Sequence, residues 1–390
     1  MAEEISIEFS IFLIFTGAAV IATLALYARQ AMIVAYILLG LIMGPWGLSY
    51  INDAELISDI SKIGIIFLLY LLGLDLLPQQ LWNMLREALE VTLFSSLVFC
   101  LVGFGIGYLF GYELLQSLLI GAVMMFSSTI IGLKLLPTTT LHHKHTGQII
   151  ISVLLIQDLI AIVILLLLQG YGKGGNILAS IAGQLFYLPL LALFCYLFER
   201  YVLIKLLMRF DQIHEYIFLV AIGWCLGVAE IAHFVGLSHE IGAFLAGITL
   251  ASSPIALFIT ERLKPLRDFF LIIFFFSLGA GFNMSVVSEI ILPATMLAMA
   301  ALVLKPLVIG GLLQMEGEKK SVSFESGFRL GQISEFSLLI AVLALESGFI
   351  LEKTSYLIQL ATLITFVVSS YIIVLRYPTP ISVNSRLRRD

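Results

Sequence analysis

The sequence predicts an all-α polytopic membrane protein of about thirteen transmembrane helices. Three observations predict it. Of the 390 residues, 60% are hydrophobic and 12% charged, with a mean hydropathy of +1.07. The apolar residues fall into runs long enough to cross a hydrocarbon core, which takes about 20 helical residues. The basic residues between those runs alternate in density from one side to the other.

This composition excludes a water-soluble enzyme. A formal net charge of −5, from 21 basic and 26 acidic residues, leaves no basic surplus for phosphates and excludes nucleic acid as a partner. Cys100, Cys195 and Cys225 sit singly in apolar runs and read as small buried hydrophobes rather than zinc ligands or a disulfide framework. Met1 to Ser6 is acidic and lacks the basic region of a secretory signal, so the first apolar run is expected to be retained.

In chain order the runs cover 9–27, 30–48, 60–77, 86–111, 114–135, 147–169, 177–207, 214–234, 239–256, 268–283, 286–313, 323–347 and 355–375. Together they make residues 1–376 a single transmembrane domain followed by a short cytoplasmic tail, 377–390. Seventeen basic residues, among them Arg29, Lys134, Arg200, Arg262, Lys319, Arg329 and Arg376, fall on one side, and only Lys62, Lys173 and Lys353 on the other. That bias predicts an external amino terminus and a cytoplasmic carboxyl terminus, which an odd number of crossings satisfies.

Thirteen runs divide into six, a connector and six, so corresponding spans of the halves run in opposite directions. The fifth span of each half carries a polar interruption: Phe126-Ser127-Ser128-Thr129 in the first and Gly331-Gln332-Ile333-Ser334-Glu335-Phe336 in the second. Serine and threonine often bond back to their own helix. Two interruptions at matching positions point instead to discontinuous helices around a midplane site.

Three charges stand where oil is expected. Asp158 lies mid-span in LLIQDLIAIVILLLL, preceded by the uncharged amide of Gln157. A carboxylate at that depth needs a partner, a water-filled cavity or a proton. Lys305 lies inside the eleventh run ahead of Pro306; it either snorkels to the interface or supplies an internal positive charge, pairing with Asp158 or balancing helix C-termini. Glu335, in the second interruption, is expected to offset helix N-termini rather than to bind an ion.

Other polar features carry less. Glu230 and His233 read as a solvated helix end, and His142, His143, Lys144 and His145 as a solvated turn. Gly103, Gly107 and Gly111 form a small-xxx-small series expected to pack closely. His239-Glu240 lacks the second histidine of a metalloprotease helix, and no nucleophile elbow or phosphate loop is present. No enzyme chemistry and no cofactor are expected.

Six motifs in order carry a family resemblance: Gly44-Pro45-Trp46-Gly47-Leu48, Gly73-Leu74-Asp75, Ser127-Ser128-Thr129, Gln157-Asp158, Gly242-Ala243-Phe244-Leu245-Ala246-Gly247, and Gly331 to Phe336 preceded by Lys305. With them the chain resembles monovalent cation:proton antiporters of the second family (CPA2), and especially the membrane domain of the Kef-type potassium/proton branch. The resemblance implies the sodium/proton antiporter-like fold, two inverted repeats with crossed discontinuous helices. It also implies a homodimer in a bacterial or archaeal inner membrane, with spans 1–3 and 8–10 as dimerisation scaffold and spans 4–6 and 11–13 as a moving core. By it, Asp158 exchanges ions and protons, Gln157 replaces the first acid of electrogenic relatives, and Lys305 is the membrane lysine.

Two departures are visible. The chain ends soon after the last span, at Arg386-Leu387-Arg388-Arg389-Asp390, where Kef-type proteins append a nucleotide-binding regulatory domain; a separate cytoplasmic subunit could supply such control. Thr260 to Pro265 matches the family's acidic glutathione-gating loop poorly.

The expected mechanism is competition: potassium, or sodium, held by Asp158 with hydroxyls of Ser127, Ser128 or Thr129 and nearby carbonyls, excludes the proton. With Gln157 unable to release a second proton, exchange is one for one and electroneutral. A cation channel, a sodium-coupled solute carrier and a structural membrane protein remain the alternatives.

Overall fold

The computed structural model describes residues 7–50, 54–75, 78–134, 145–171, 177–210, 212–251, 253 and 255–379. His142, His143, Lys144, Lys173 and the tail from residue 380 lie outside them. In chain order the helices are α1 (Ile7–Tyr27), α2 (Met32–Met43), α3 (Ala54–Asp75), α4 (Pro78–Leu109), α5 (Leu114–Met124), α6 (Thr129–Lys134), α7 (His145–Tyr171) and α8 (Ile177–Phe198). They continue with α9 (Ile204–Arg209), α10 (His214–Phe234), α11 (His239–Ala251), α12 (Ala256–Ala280), α13 (Val287–Met315), α14 (Lys320–Arg329), α15 (Glu335–Glu346) and α16 (Glu352–Arg376). The described residues are almost entirely helical, as lipid demands of a chain whose backbone must satisfy its own hydrogen bonds. Six of the described helices are long and apolar enough to cross a membrane.

Each of the thirteen apolar runs coincides with a helix or with a set of shorter ones. The fifth run is split into α5 and α6, and the twelfth into α14 and α15, at the two polar interruptions. The seventh is α8 and α9 joined by one π-helical turn, Glu199–Leu203. Several boundaries differ from the expectation: α3 starts at Ala54 rather than at 60, α4 at Pro78 rather than at 86, and, by the most, α12 at Ala256 rather than at 268, so Arg262, Lys264 and Arg267 are helical rather than loop residues. A Lys264–Glu261 pair at 2.6 Å, one turn apart, offsets part of the charge there.

The chain forms two compact units. One comprises Met1–Ala18, Tyr36–Leu81 and Gln169–Gly281. Its helices touch through glycine. A Cβ on Gly247 would lie 2.2 Å from the Tyr70 carbonyl, and one on Gly73 would lie 2.5 Å from that of Phe244, so α3 and α11 meet backbone to backbone. Gly40 and Gly279 do the same for α2 and α12, each with a would-be Cβ 2.0 Å from a carbonyl oxygen. Around these contacts Tyr70, Cys195, Leu207, Cys225 and Leu250 form a fully buried apolar core, and the Trp224 indole donates to the Ala246 carbonyl at 3.1 Å.

The other unit comprises Ala19–Ala35, Trp82–Leu168 and Phe282–Asp390, and holds α4 to α7 and α13 to α16. Gly103 and Gly107 let α4 lie against α5, with would-be Cβ contacts of 2.9 Å to Gly121 and 3.1 Å to Ser117. Gly111 departs from that series: nothing lies within 4 Å of its would-be Cβ, and its φ of +80° marks the turn that ends α4. Further on, Gly327 brings α14 onto Pro306 of α13, at 2.7 Å from the Pro306 carbonyl. Both helix breaks belong to this unit.

Candidate functional site

Residues 126–128 and 331–334 are non-helical between half-helices, which leaves backbone groups that an unbroken helix would have paired. Their partners are side chains from the other elements of the same unit. Ser127 N–H donates to Gln157 Oε1 on α7 at 2.9 Å, and Ser127 Oγ donates to the Leu330 carbonyl at 2.8 Å. The first break is thereby tied both to α7 and to the second break. Ser128 Oγ accepts from Ile131 N–H at 3.1 Å, capping the start of α6, and Ser334 Oγ accepts from Phe336 N–H at 3.0 Å, capping the start of α15.

Lys305 is wholly buried on α13. Its Nζ donates to the Phe126 carbonyl at 2.6 Å, the Gln332 carbonyl at 3.0 Å and Ser127 Oγ at 3.3 Å, and lies 5.5 Å from the centroid of the Phe99 ring. Phe126 follows the end of α5, and Gln332 follows the end of α14, so one ammonium stands where both half-helices finish. Glu335 opens α15 and accepts a short hydrogen bond from the hydroxyl of Thr129, which opens α6. The carboxylate therefore stands where the other two half-helices start.

Asp158 is 3% exposed on α7, directly after Gln157, and its Oδ1 has no hydrogen-bond partner among the described residues. The Nε2 of Gln157 is likewise unpartnered. No hydrogen bond among the described residues joins Asp158 to Ser127, Ser128, Thr129 or Lys305, so a direct Lys305–Asp158 pair, one of the expectations for Lys305, is absent. Snorkelling is ruled out by its full burial.

The structure thus brings Ser127, Gln157 and Lys305 into one hydrogen-bonded group, and Thr129 and Glu335 into a second. It also recruits residues that the sequence reading passed over. Gln332 donates to the carbonyls of Arg329 at 2.8 Å and Ser128 at 3.4 Å and accepts from Ser369 on α16 at 2.9 Å. Thr365, one turn earlier, accepts from Ile333 N–H at 3.1 Å. The motif position of Gln332 was the only signal for it, and Ser369 and Thr365 had none. Arg329, counted among the cytoplasmic cations, is fully buried: it bonds Glu325 at 2.9 Å and the Pro378 carbonyl at 2.8 Å, with the Tyr377 ring 5.7 Å away. Glu230 pairs with His239 at 3.2 Å on an exposed surface of the other unit, and among the described residues no group of three or more His, Cys, Asp or Glu side chains is placed to hold a metal ion.

Comparison with known proteins shows the family of the chain. The family described as sodium/hydrogen exchanger, transmembrane, matches residues 11–375, and the chain belongs to that family. It is an integral membrane protein. Among curated proteins it is similar to K(+) efflux antiporter 4 of Arabidopsis thaliana, 29% identical over 348 residues, covering 86% of this chain and 58% of that protein. It is also similar to K(+) efflux antiporter 5 of the same plant, 27% identical over 373 residues, covering 92% of this chain and 64% of the relative. The chain therefore spans less than two thirds of the length of either. Among solved structures, the sodium proton antiporter MjNhaP1 from Methanocaldococcus jannaschii shares its fold with a TM-score of 0.67 at 18% identity, covering 93% of this chain and 97% of that one.

Proposed function

We propose that this chain is a secondary active monovalent cation:proton antiporter that exchanges potassium for protons, with the two competing for Asp158. The observation that carries the reading is the unpartnered Oδ1 of a buried carboxylate, one residue from the Gln157 that is bonded to the first helix break. A buried carboxylate with an unpaired oxygen calls for a mobile partner, a cation or a proton. Because Lys305 spends its donors on two carbonyls and a serine, it makes no hydrogen bond to that carboxylate.

In this reading Lys305 compensates the negative ends of α5 and α14, and Glu335 the positive starts of α6 and α15. The crossing is then electrically balanced before any ion arrives, and the charge that changes during turnover is that of Asp158 alone. Gln157 has no proton to give, so one cation replaces one proton and exchange is electroneutral. Dehydrated potassium would complete its shell with hydroxyl and carbonyl oxygens of the 126–129 segment. The unit holding α4 to α7 and α13 to α16 is the moving core; the other is the scaffold of a homodimer, with the amino terminus external and the carboxyl terminus in the cytoplasm of a bacterial or archaeal cell.

Sodium is the second reading, favoured by the family description and by the activity named for MjNhaP1. Liposomes carrying the protein and an internal pH dye separate the cases when potassium, rubidium, sodium or lithium is added with and without a clamped membrane potential. The proposal expects the largest pH change with potassium and a rate indifferent to potential. Potential-dependent exchange overturns the one-for-one stoichiometry, and cation conductance without a pH change favours a channel.

A further inference from the structure

We propose that Gln332 is a positioning residue that holds the two helix breaks in register and so sets the affinity of the cation site. The inference rests on the antiporter reading above. Gln332 is fully buried, and its polar atoms reach four different elements. The amide nitrogen donates to the Arg329 carbonyl at the end of α14, at 2.8 Å, and to the Ser128 carbonyl in the first break, at 3.4 Å. The amide oxygen accepts from Ser369 of α16 at 2.9 Å, and the main-chain carbonyl accepts from Lys305 of α13 at 3.0 Å.

These partners fix which way the amide points. Two carbonyls can only accept, so the face toward Arg329 and Ser128 must be N–H; the opposite face meets the donated hydrogen of Ser369, so it must be C=O. An ionised carboxylate in its place would set an oxygen against two carbonyl oxygens. A protonated carboxyl could reproduce one donor and one acceptor. The side chain thus spans the gap from the first break, whose Ser128 borders the cation's expected oxygen ligands, to α16, which touches neither Asp158 nor Lys305 by any described hydrogen bond.

The test compares wild type with Gln332→Ala, Gln332→Glu, Ser369→Ala and Ser369→Thr, reconstituted as equal amounts of monodisperse protein with the internal pH dye. Potassium KM and Vmax are measured from mildly acidic to mildly alkaline pH. Loss of two to three neutral hydrogen bonds predicts an apparent KM raised about tenfold or more in Gln332→Ala, with Vmax less affected. Ser369→Ala moves KM the same way by about fivefold, and Ser369→Thr restores it.

Gln332→Glu supplies the discriminating readout. Its KM relative to wild type stays near one while the carboxyl is protonated and climbs as it ionises, whereas the Gln332→Ala ratio stays flat with pH. Unchanged KM in Gln332→Ala, or lower Vmax in both variants with neither a KM shift nor a pH-dependent ratio, overturns the proposal and makes Gln332 a structural residue. If Gln332→Ala does not fold, the Ser369 pair decides on the same criterion. If wild type drives no exchange, the antiporter reading fails separately, and potassium-dependent thermal stabilisation in detergent decides the positioning claim: weaker apparent binding in the variants supports it, equal binding overturns it.

Discussion

The hydroxyl of Thr129 and the carboxylate of Glu335, 206 positions apart in the chain, are joined by a short hydrogen bond that ties the start of α6 to the start of α15. A hydrogen bond to a charged acceptor contributes about 1.5 to 3 kcal/mol, and more is at stake where the acceptor has little water to fall back on. Thr129→Val should therefore lower the midpoint of thermal unfolding in detergent by an amount equivalent to about 1.5 to 3 kcal/mol, while Thr129→Ser, which keeps the donor, should stay near wild type. Equal midpoints for the two variants would show that the hydroxyl is not what holds the starts together.

Lys305 makes the complementary tie at the helix ends. Lys305→Met leaves the Phe126 and Gln332 carbonyls without the ammonium that donates to them, and a buried acceptor left unsatisfied typically costs about 1 to 3 kcal/mol. Lys305→Arg should not rescue it, because a planar guanidinium does not fit the position of a compact ammonium that meets two carbonyls above the Phe99 ring. Thermal unfolding of both variants checks this; stability recovered in Lys305→Arg would argue that charge alone matters there.

The glycine contacts of the other unit predict a contrast within one helix type. Gly247→Ala drives a methyl group to 2.2 Å from the Tyr70 carbonyl and should cost about 1 to 3 kcal/mol or more. Gly227→Ala on α10 meets nothing within 4 Å and should be neutral or stabilising by up to about 1 kcal/mol. Parallel thermal unfolding curves decide, and similar losses in both would contradict the backbone contact between α3 and α11.

Much of this arrangement is legible in the sequence because lipid makes exceptions conspicuous. Asp158, Lys305 and Glu335 stand out as charges within apolar runs, and the two interruptions stand out as polar runs within spans. What stays hidden is pairing between neutral groups. Ser369 and Thr365 look like hydroxyls that bond their own helix, and Thr365 does donate to the Thr362 carbonyl at 2.8 Å while also serving Ile333. Arg329, near the start of the twelfth run, reads as a cation of the cytoplasmic side because Pro378, whose carbonyl helps to hold it, is 49 positions away. Gly111 fits a packing series by spacing, and only its left-handed backbone assigns it to a turn.

Competition for one carboxylate has a kinetic signature. If proton and cation exclude one another at Asp158, the apparent KM for potassium should rise as pH falls, approaching about tenfold per pH unit in the acid range by mass action, with Vmax unchanged. Initial rates of dye response over a matrix of potassium concentration and pH test it. A KM independent of pH with a falling Vmax would instead point to protonation at a separate regulatory group.

The most direct measurement is the cation-driven pH change in liposomes carrying Asp158→Asn, a near-isosteric variant that keeps the buried shape and removes the ionisable oxygen. Folded, monodisperse Asp158→Asn protein is expected to give no potassium/proton exchange under conditions where wild type does. Exchange at the wild-type rate from that variant would contradict the account at its centre.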